Sequence, residues 1–301
     1  MSSKHEEKHH HSEKRTDLDE AHDTIKYAEF KLLLKPEELR KIVDAHELWS
    51  HMRHAVDQTK VGFIPTPGDP VIKQRDIMFY DTPTFDLYEN HFILRRRTHF
   101  RDGWTQSHDE LTFKYRHAEA AEVEKVDLRP AVSTPTIIKF KREILPLPDR
   151  VGGSRYIYTR NCVMAMPPME KSGDIDMMMD FFPALAPLLE KCGAQAHIAM
   201  VNRVSVTETL TEFGILDFGK GYSGKVSLAL WRDAGSYAPI VSELGFQLKF
   251  DNLDDKVESH LAGAEEFFRT LQHYISRWIF LGTTKTNLVY RRKGKEVHNR
   301  E

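Results

Sequence analysis

The sequence RDIMFYDTPTFDLYENHFILRRR, from Arg75 to Arg97, combines a tight turn with a strongly basic strand. Tyr80 to Pro83 form a Tyr-Asp-Thr-Pro turn, and the strand that follows it ends in three arginines. Because successive side chains of a strand point to opposite faces, Arg95 and Arg97 share one face and Arg96 lies on the other. Two guanidinium groups on one face repel each other unless an anion lies between them, and arginine binds phosphate oxygens with a planar fork. The pattern therefore favours a phosphate site, with a solvated edge strand as the alternative.

The composition bounds the class of protein. The chain has 301 residues, of which 40% are hydrophobic, and its 43 basic residues nearly balance 45 acidic ones. That balance argues against bulk binding to nucleic acid or to an acidic membrane, but it permits a concentrated internal basic site. The two cysteines, Cys162 and Cys192, do not suggest a disulfide framework or a structural zinc site. No apolar run approaches a membrane span and no secretory signal begins the chain, so we expect a cytoplasmic protein.

Alternating hydrophobic residues predict many strands and few helices. We expect strands at about 26–34, 74–81, 90–100, 108–117, 136–144, 155–163, 196–208, 212–218, 225–232, 241–250 and 285–292. We expect helices from Pro36 onward, over 174–191 and over 254–280, and a loop over 60–72. Consecutive strands with few helices between them indicate an α+β fold with an antiparallel sheet. If the sheet closes into a barrel, the basic face of its strands lines a wet lumen.

The same stretch resembles the CYTH superfamily, the triphosphate tunnel enzymes, whose second strand region reads like YYDTP, then a Leu, then LRxR. The family opens on a strand with E-x-E-x-K; here Tyr27 to Lys31 read YAEFK, so that a tyrosine replaces the first acid. Leu111 to Lys114 (LTFK) is similar to the family's L-T-L-K strand, and Lys285 to Leu288 (KTNL) to its closing K-S-Y-type strand. The resemblance implies a closed or nearly closed antiparallel β-barrel, a tunnel of about eight strands with flanking helices.

The resemblance also implies roles for particular residues. Glu29 and Lys31 would be catalytic, and Mg²⁺ or Mn²⁺ would be held by Glu29 and Glu243. Glu243 is the only acid in the segment SELGFQ, so Glu122 and Glu124 could supplement it. Substrate phosphates would bind to Lys31, Arg95, Arg97, Lys114, Arg116, Arg203 and Lys285. Lys139 and Lys141 lie on a predicted strand and are open candidates for the same role.

The sequence divides into three segments. Residues 1–24 form a charged head that we expect to be disordered, residues 25–292 the tunnel domain, and residues 293–301 a charged tail. His5 to His9 match H-E-x-x-H, but no apolar helix face supports a zinc site there. Gly219 to Val226 match a kinase glycine-rich loop and the start of a phosphate-binding loop. However, Val226 opens a strand-like run, which favours a hairpin.

The predicted function is metal-dependent hydrolysis of a triphosphate, with inorganic triphosphate, thiamine triphosphate and nucleoside triphosphates as candidate substrates. The alternative is a non-catalytic module that binds polyphosphate or a nucleotide, because Tyr27 replaces an acid and the late acidic pair is incomplete. The expected partner is a small molecule that contains a triphosphate, with no nucleic acid and no membrane. A homodimer is left open.

Overall fold

The computed structural model describes residues 23–68, 70–166, 181–192 and 197–292, and its centre is a closed β-barrel. The sheet has ten strands in the order β2-β8-β3-β4-β5-β7-β6-β1-β10-β9, and a pairing between β8 and β9 closes nine of them into a ring. The strands are β1 (Ile25–Leu34), β2 (Gly62–Pro65), β3 (Val71–Asp81), β4 (Phe92–Arg101), β5 (Trp104–His117), β6 (Thr136–Pro146), β7 (Ser154–Met166), β8 (Ala199–Asp217), β9 (Ser223–Asp233) and β10 (Pro239–Lys249).

The prediction of a closed barrel in an α+β fold is confirmed, with two differences. The ring holds nine strands rather than about eight, and β2 extends the sheet beside β8. Most neighbours are antiparallel, but β1 and β6 run parallel, with Glu29 opposite Glu143. Two single strands also differ from their predictions: β8 is one long strand where two were expected, and β2 lies within the predicted loop over 60–72.

Six α-helices and three short 3₁₀-helices surround the barrel in the described residues. The α-helices are α1 (Ile42–Thr59), α2 (Asp86–Glu89), α3 (Ala120–Glu124), α4 (Ala186–Cys192), α5 (Asp255–Tyr274) and α6 (Lys285–Tyr290), and the 3₁₀-helices are Pro36–Glu38, Pro183–Leu185 and Ser276–Trp278. Asp254 caps α5 by accepting a hydrogen bond from the Val257 N–H at 2.8 Å. Helix α4 and the 3₁₀-helix before it occupy the end of the helix predicted over 174–191, whose beginning lies outside the described residues.

The hydrophobic core lies outside the ring rather than within it. Helices α1 and α5 pack on one side through a cluster that includes Phe30, Phe246 and Phe268. A second cluster, with Phe113 and Phe182, lies under α4. Because the apolar side chains of each strand face these helices, the alternating polar side chains face inward.

The last element differs from its prediction. The strand expected over 285–292 is the helix α6, because the Thr284 side chain accepts a hydrogen bond from the Asn287 N–H at 3.2 Å and caps its first turn. Val289 and Tyr290 are fully buried at the other end of this helix, in a cluster with Phe79, Phe85 and Tyr88. Lys285 therefore approaches the lumen from a helix rather than from a strand.

Candidate functional site

A polar cavity of about 430 Å³ occupies the interior of the barrel. Nine basic and five acidic side chains line it, an excess of four positive charges. The basic residues are Lys31, Arg75, Arg95, Arg97, Lys114, Arg116, Lys139, Lys141 and Lys285, and the acidic residues are Glu29, Glu110, Glu143, Glu208 and Glu243. A closed ring of strands thus gathers cations that are far apart in sequence on one enclosed volume.

Most of the residues expected at the site meet in this cavity. Those that line it are Glu29, Lys31, Arg95, Arg97, Lys114, Arg116, Glu243 and Lys285, together with the open candidates Lys139 and Lys141. Arg96 points to the outer face, where its guanidinium lies 2.7 Å from Asp109. The alternation predicted for the three arginines of β4 is therefore observed.

Glu143 is the centre of the densest charge cluster. Its carboxylate is almost fully buried, and it accepts hydrogen bonds from Lys114 and Arg116 at 2.8 Å each. The ammonium of Lys31 lies 3.1 Å from Glu143 and 3.1 Å from Glu29. Lys141 contacts the same carboxylate oxygen of Glu29, Oε2, also at 3.1 Å. One wall of the lumen is thus a ladder in which lysines and carboxylates alternate.

These contacts shift the ionisation of the whole cluster. Burial raises the pKa of Glu143, but the charges of Lys114 and Lys31 outweigh burial and hold that pKa well below its usual range. The pKa of Glu29 is likewise lowered, because Lys141 and Lys31 outweigh the effect of burial. The pKa of Lys31 is raised despite its burial, because Glu143 and Glu29 flank it. Lys114 differs: burial lowers its pKa to about 7, because the opposing effect of Glu143 does not offset burial together with the charges of Arg116 and Lys31.

A second group of charges lies on β3, β4, β5 and β8. Arg97 donates to Glu110 at 2.7 Å, and Arg95 donates to the Thr112 hydroxyl at 3.1 Å. Burial and the neighbouring Arg97 lower the pKa of Arg95, so the nearby acids do not fully compensate the charge of this guanidinium. Arg75 donates to Glu208 at 2.9 Å. Cations with incomplete compensation in a buried cavity are the arrangement expected of an anion site.

Lys285 enters the lumen from α6 and contacts side chains of two strands. Its ammonium donates to Glu243 at 2.6 Å and lies 4.8 Å from the centre of the Trp231 ring. Trp231 in turn donates its indole N–H to Glu208 at 2.6 Å. Lys285 thus links α6 to the strands β9 and β10.

The two carboxylates predicted to hold a metal ion are separated along the sheet. On the paired strands β1 and β10, Gln247 lies opposite Glu29, whereas Glu243 lies opposite Leu33. Four residues of a strand span about 13 Å, so this register does not fit one ion held by both Glu29 and Glu243. Among the described residues, no three His, Cys, Asp or Glu side chains form a ready-made metal site.

Glu122 and Glu124 do not supplement the acids of the lumen. Both lie on or at α3, which packs outside the ring, and neither lines the cavity. Glu122 instead pairs with Lys125 at 2.5 Å on the surface. The expectation that they compensate for a missing acid is wrong, because the strand β5 ends at His117 before them.

Arg203 also lies outside the site. Its side chain is exposed and does not line the cavity, which corrects the expectation that it joins the phosphate-binding set. The reason is a bulge in β8: between the pairs Met78–Ser205 and Tyr80–Met200, three extra residues loop out of the ladder. Asn202 and Arg203 both adopt positive φ angles in this bulge, which breaks the alternation on which the prediction rested.

The Tyr-Asp-Thr-Pro turn acts as a structural clamp. Asp81 is buried, and its Oδ1 accepts hydrogen bonds from the N–H groups of Thr82 and Leu87 at 2.8 and 2.9 Å. Its Oδ2 accepts from the Tyr88 N–H at 3.0 Å and from the Tyr290 hydroxyl at 2.9 Å. The carboxylate therefore fixes the entry into β4, the strand that carries Arg95 and Arg97, and ties it to α6.

Several charges of the lumen were missed from the sequence: Arg75, Glu110, Glu143 and Glu208. Arg75 lies four residues before Phe79 on the same strand, and both line the cavity, so the alternation of β3 could have identified it. Glu110 and Glu143 sit in the same alternating pattern as Lys114 and Lys141. The alternation of side chains along each strand was the signal that could have identified these residues. Their partners across the barrel cannot be read from the sequence.

None of the helices in the described residues is long and apolar enough to cross a membrane. No protein-family model matches the chain, and neither does any curated protein.

The chain is similar to several solved structures, and the activities described for those proteins differ. A Hippeastrum protein proposed as an adenylyl cyclase, and described as having a dominant triphosphatase activity, shares 13% identity; the match covers 91% of this chain and 98% of that one, with a TM-score of 0.40. A proposed adenylate cyclase from Bacillus halodurans shares 13% identity over 87% of this chain and 96% of that one, with a TM-score of 0.38. The RNA triphosphatase Pct1 of S. pombe shares 12% identity over 82% of this chain and 73% of that one, with a TM-score of 0.26. The chain is similar to these proteins at low identity, and its resemblance to the triphosphate tunnel enzymes rests on the residues of its own strands.

Proposed function

We propose that the lumen binds the phosphate chain of a triphosphate. The observation that carries the proposal is the excess of four positive charges in an enclosed cavity, with Arg95 and Lys114 only partly compensated. A linear polyanion is long enough to contact cations on several strands at once, and each charge-assisted contact is stronger than a neutral hydrogen bond. Lys31, Arg97, Arg116 and Lys285 would complete the phosphate contacts.

We further propose that the chain hydrolyses the terminal phosphoanhydride bond with the aid of Mg²⁺ or Mn²⁺. Protein sites often hold Mg²⁺ through one or two carboxylates plus substrate phosphates, and Glu29 is the lumen acid that best suits that role. Its side chain is 24% exposed, whereas that of Glu143 is 1% exposed. The metal would supply charge neutralisation on the phosphoryl oxygens. The residues of the chain would hold the phosphates in line and stabilise the charge that develops on them.

Inorganic triphosphate, thiamine triphosphate and nucleoside triphosphates are all candidate substrates in this proposal, because the proposed contacts involve only the phosphate chain that they share. The partner is a small molecule rather than a nucleic acid or a membrane, since the cations lie inside the barrel while the whole chain is nearly neutral.

One observation favours a second candidate, a non-catalytic binding module. Each of the five lumen carboxylates is ion-paired to a lumen cation: Glu29 to Lys31 and Lys141, Glu110 to Arg97, Glu143 to Lys114, Glu208 to Arg75, and Glu243 to Lys285. Carboxylates that are fully engaged with cations have less capacity for a metal ion. Such a protein would bind the polyanion and leave it intact.

Two measurements separate these candidates. Calorimetry with inorganic triphosphate tests binding, and phosphate release with and without Mg²⁺ or Mn²⁺ tests hydrolysis. Glu29→Gln should keep or strengthen metal-free binding, because it removes a negative charge, while it lowers metal-dependent release. Glu122→Gln, an acid outside the cavity, is the matched control and should behave like wild type. If the protein binds triphosphate but releases no phosphate with any divalent ion, hydrolysis is refuted and the non-catalytic binding module is supported. If it binds no triphosphate at all, both proposals are refuted.

A further inference from the structure

Two consecutive residues in the middle of β8 adopt a backbone conformation that is rare outside glycine. Asn202 has a φ of 54° and Arg203 a φ of 55°. Both lie in the bulge that interrupts the pairing of β8 with β3 between Met78 and Tyr80. Such a conformation persists only where the surroundings hold it, and it is often found at functional sites. The Arg203 side chain is exposed, so the reason for the bulge has to be sought at Asn202.

The bulge directs the Asn202 amide to the end of α6. Its Nδ2 donates to the Val289 carbonyl at 2.9 Å and to the Tyr290 carbonyl at 2.8 Å. Both carbonyls lie at the C-terminal end of α6, where the intrahelical pattern stops, and the Val289 carbonyl also accepts a hydrogen bond from the Arg291 N–H. The two bonds of Asn202 thus tie β8 to this end of the helix. A helix of six residues is too short to be stable on its own, and it depends on such contacts.

The opposite end of α6 carries Lys285 into the lumen. Lys285 contacts Glu243 at 2.6 Å, and residues 283, 284 and 286 beside it also line the cavity. Two further bonds hold the helix: Tyr290 to Asp81 at 2.9 Å, and the Asn287 amide to the Tyr88 hydroxyl at 3.1 Å. Six helical residues span about 9 Å, so the bonds of Asn202 fix the far end of a short rigid rod whose near end is the Lys285 ammonium.

We propose that Asn202 is a positioning residue that holds α6 so that the Lys285 ammonium points into the lumen. As a contribution to phosphate binding, this inference rests on the proposed function. As a statement about the position of Lys285, it can be tested without any ligand.

The ligand-free test is amine labelling of the full chain, read by mass spectrometry. Asn202→Gly removes the amide but tolerates the positive φ, and Arg203→Gly is the matched control with the same backbone angle and no bond to α6. Lys31 is an internal reference, because it is 17% exposed against 18% for Lys285 but lies on β1. Asn202→Gly should raise the labelling rate of Lys285 several-fold while Lys31 keeps its wild-type rate, and Arg203→Gly should change neither. An unchanged rate at Lys285, or an equal rise at both lysines, would overturn the proposal.

The test with ligand is a double-mutant cycle on the binding of inorganic triphosphate. If Asn202 acts through Lys285, Asn202→Gly should weaken binding about tenfold in the wild-type background, which corresponds to about 1.4 kcal/mol. It should have no further effect in a Lys285→Ala background. Equal losses in both backgrounds would refute a role through Lys285. If wild type binds no triphosphate, the proposed function fails, while the labelling result still decides the position of Lys285.

Discussion

Glu29 and Glu143 lie opposite each other on β1 and β6, the one parallel pair in the part of the ring that the structure describes. Both carboxylates lie 3.1 Å from the Lys31 ammonium, but their surroundings differ. Glu143 is 1% exposed, whereas Glu29 is 24% exposed to the lumen. The pair therefore divides two tasks: Glu143 compensates the buried cations, and Glu29 remains accessible to a ligand.

We predict that Glu143→Gln destabilises the protein by about 3–5 kcal/mol, because it leaves Lys31, Lys114 and Arg116 buried with less compensation. Urea unfolding measures the loss. Inorganic triphosphate should then raise the melting temperature of the variant more than that of wild type, since the anion replaces the lost charge. Glu212→Gln is the control, because Glu212 pairs with the exposed lysines Lys73 and Lys225 and should cost at most about 1 kcal/mol. Equal stabilities of the two variants would contradict the role of Glu143.

Asp81→Asn should destabilise the protein by about 2–3 kcal/mol. The carboxylate accepts four hydrogen bonds, three of them from backbone N–H groups, and an asparagine would place its NH2 group against at least one of these N–H donors. Asp102→Asn, at an exposed turn with a φ of 52°, should stay within about 0.5 kcal/mol of wild type. Chemical denaturation measures the free energy of unfolding of both variants. If Asp81→Asn is as stable as wild type, the turn does not depend on the carboxylate.

The sequence predicted the inward face of β4 and β1 because two local rules agree there. Alternation places Arg95, Arg97, Glu29 and Lys31 on defined faces of their strands, and their apolar neighbours Leu94 and Phe30 need a covered face on the opposite side. These facings needed only the neighbours in sequence. The closed ring, in contrast, was implied by the resemblance to the triphosphate tunnel enzymes, because basic residues on one face of a strand are also compatible with a solvated face.

The predictions that failed depended on information that is not local. The bulge at Asn202 and Arg203 is held by contacts with α6, about ninety residues away in sequence, so alternation alone misplaces Arg203. The parallel register of β1 and β6 places Glu143 beside Glu29, and no spacing along the chain reveals that. The separation of Glu29 from Glu243 likewise appears only when the strands are paired.

Lys114 should make the binding of triphosphate depend on pH in the absence of metal. Burial lowers its pKa to about 7, and a bound polyanion favours the ammonium and so raises that pKa. Between pH 7 and about 10, binding then takes up a proton at Lys114, and affinity falls as the pH rises through this window. Calorimetry in buffers with different ionisation enthalpies measures the uptake.

The control for this prediction is Lys114→Arg, because arginine stays charged throughout this pH range. The variant should take up fewer protons than wild type, and the comparison cancels the titration of the triphosphate itself. Equal uptake by the two proteins would show that Lys114 is already charged before the triphosphate binds.

The most direct test of the account is the affinity of the metal-free protein for inorganic triphosphate, measured by calorimetry on wild type, Arg95→Ala and Arg203→Ala. Both arginines were expected at the site from the sequence, but only Arg95 lines the cavity. We predict that wild type binds, that Arg95→Ala loses about 1.5–3 kcal/mol of binding free energy, and that Arg203→Ala matches wild type. Unchanged binding in Arg95→Ala, or an equal loss in both variants, would contradict the claim that the triphosphate lies in the lumen.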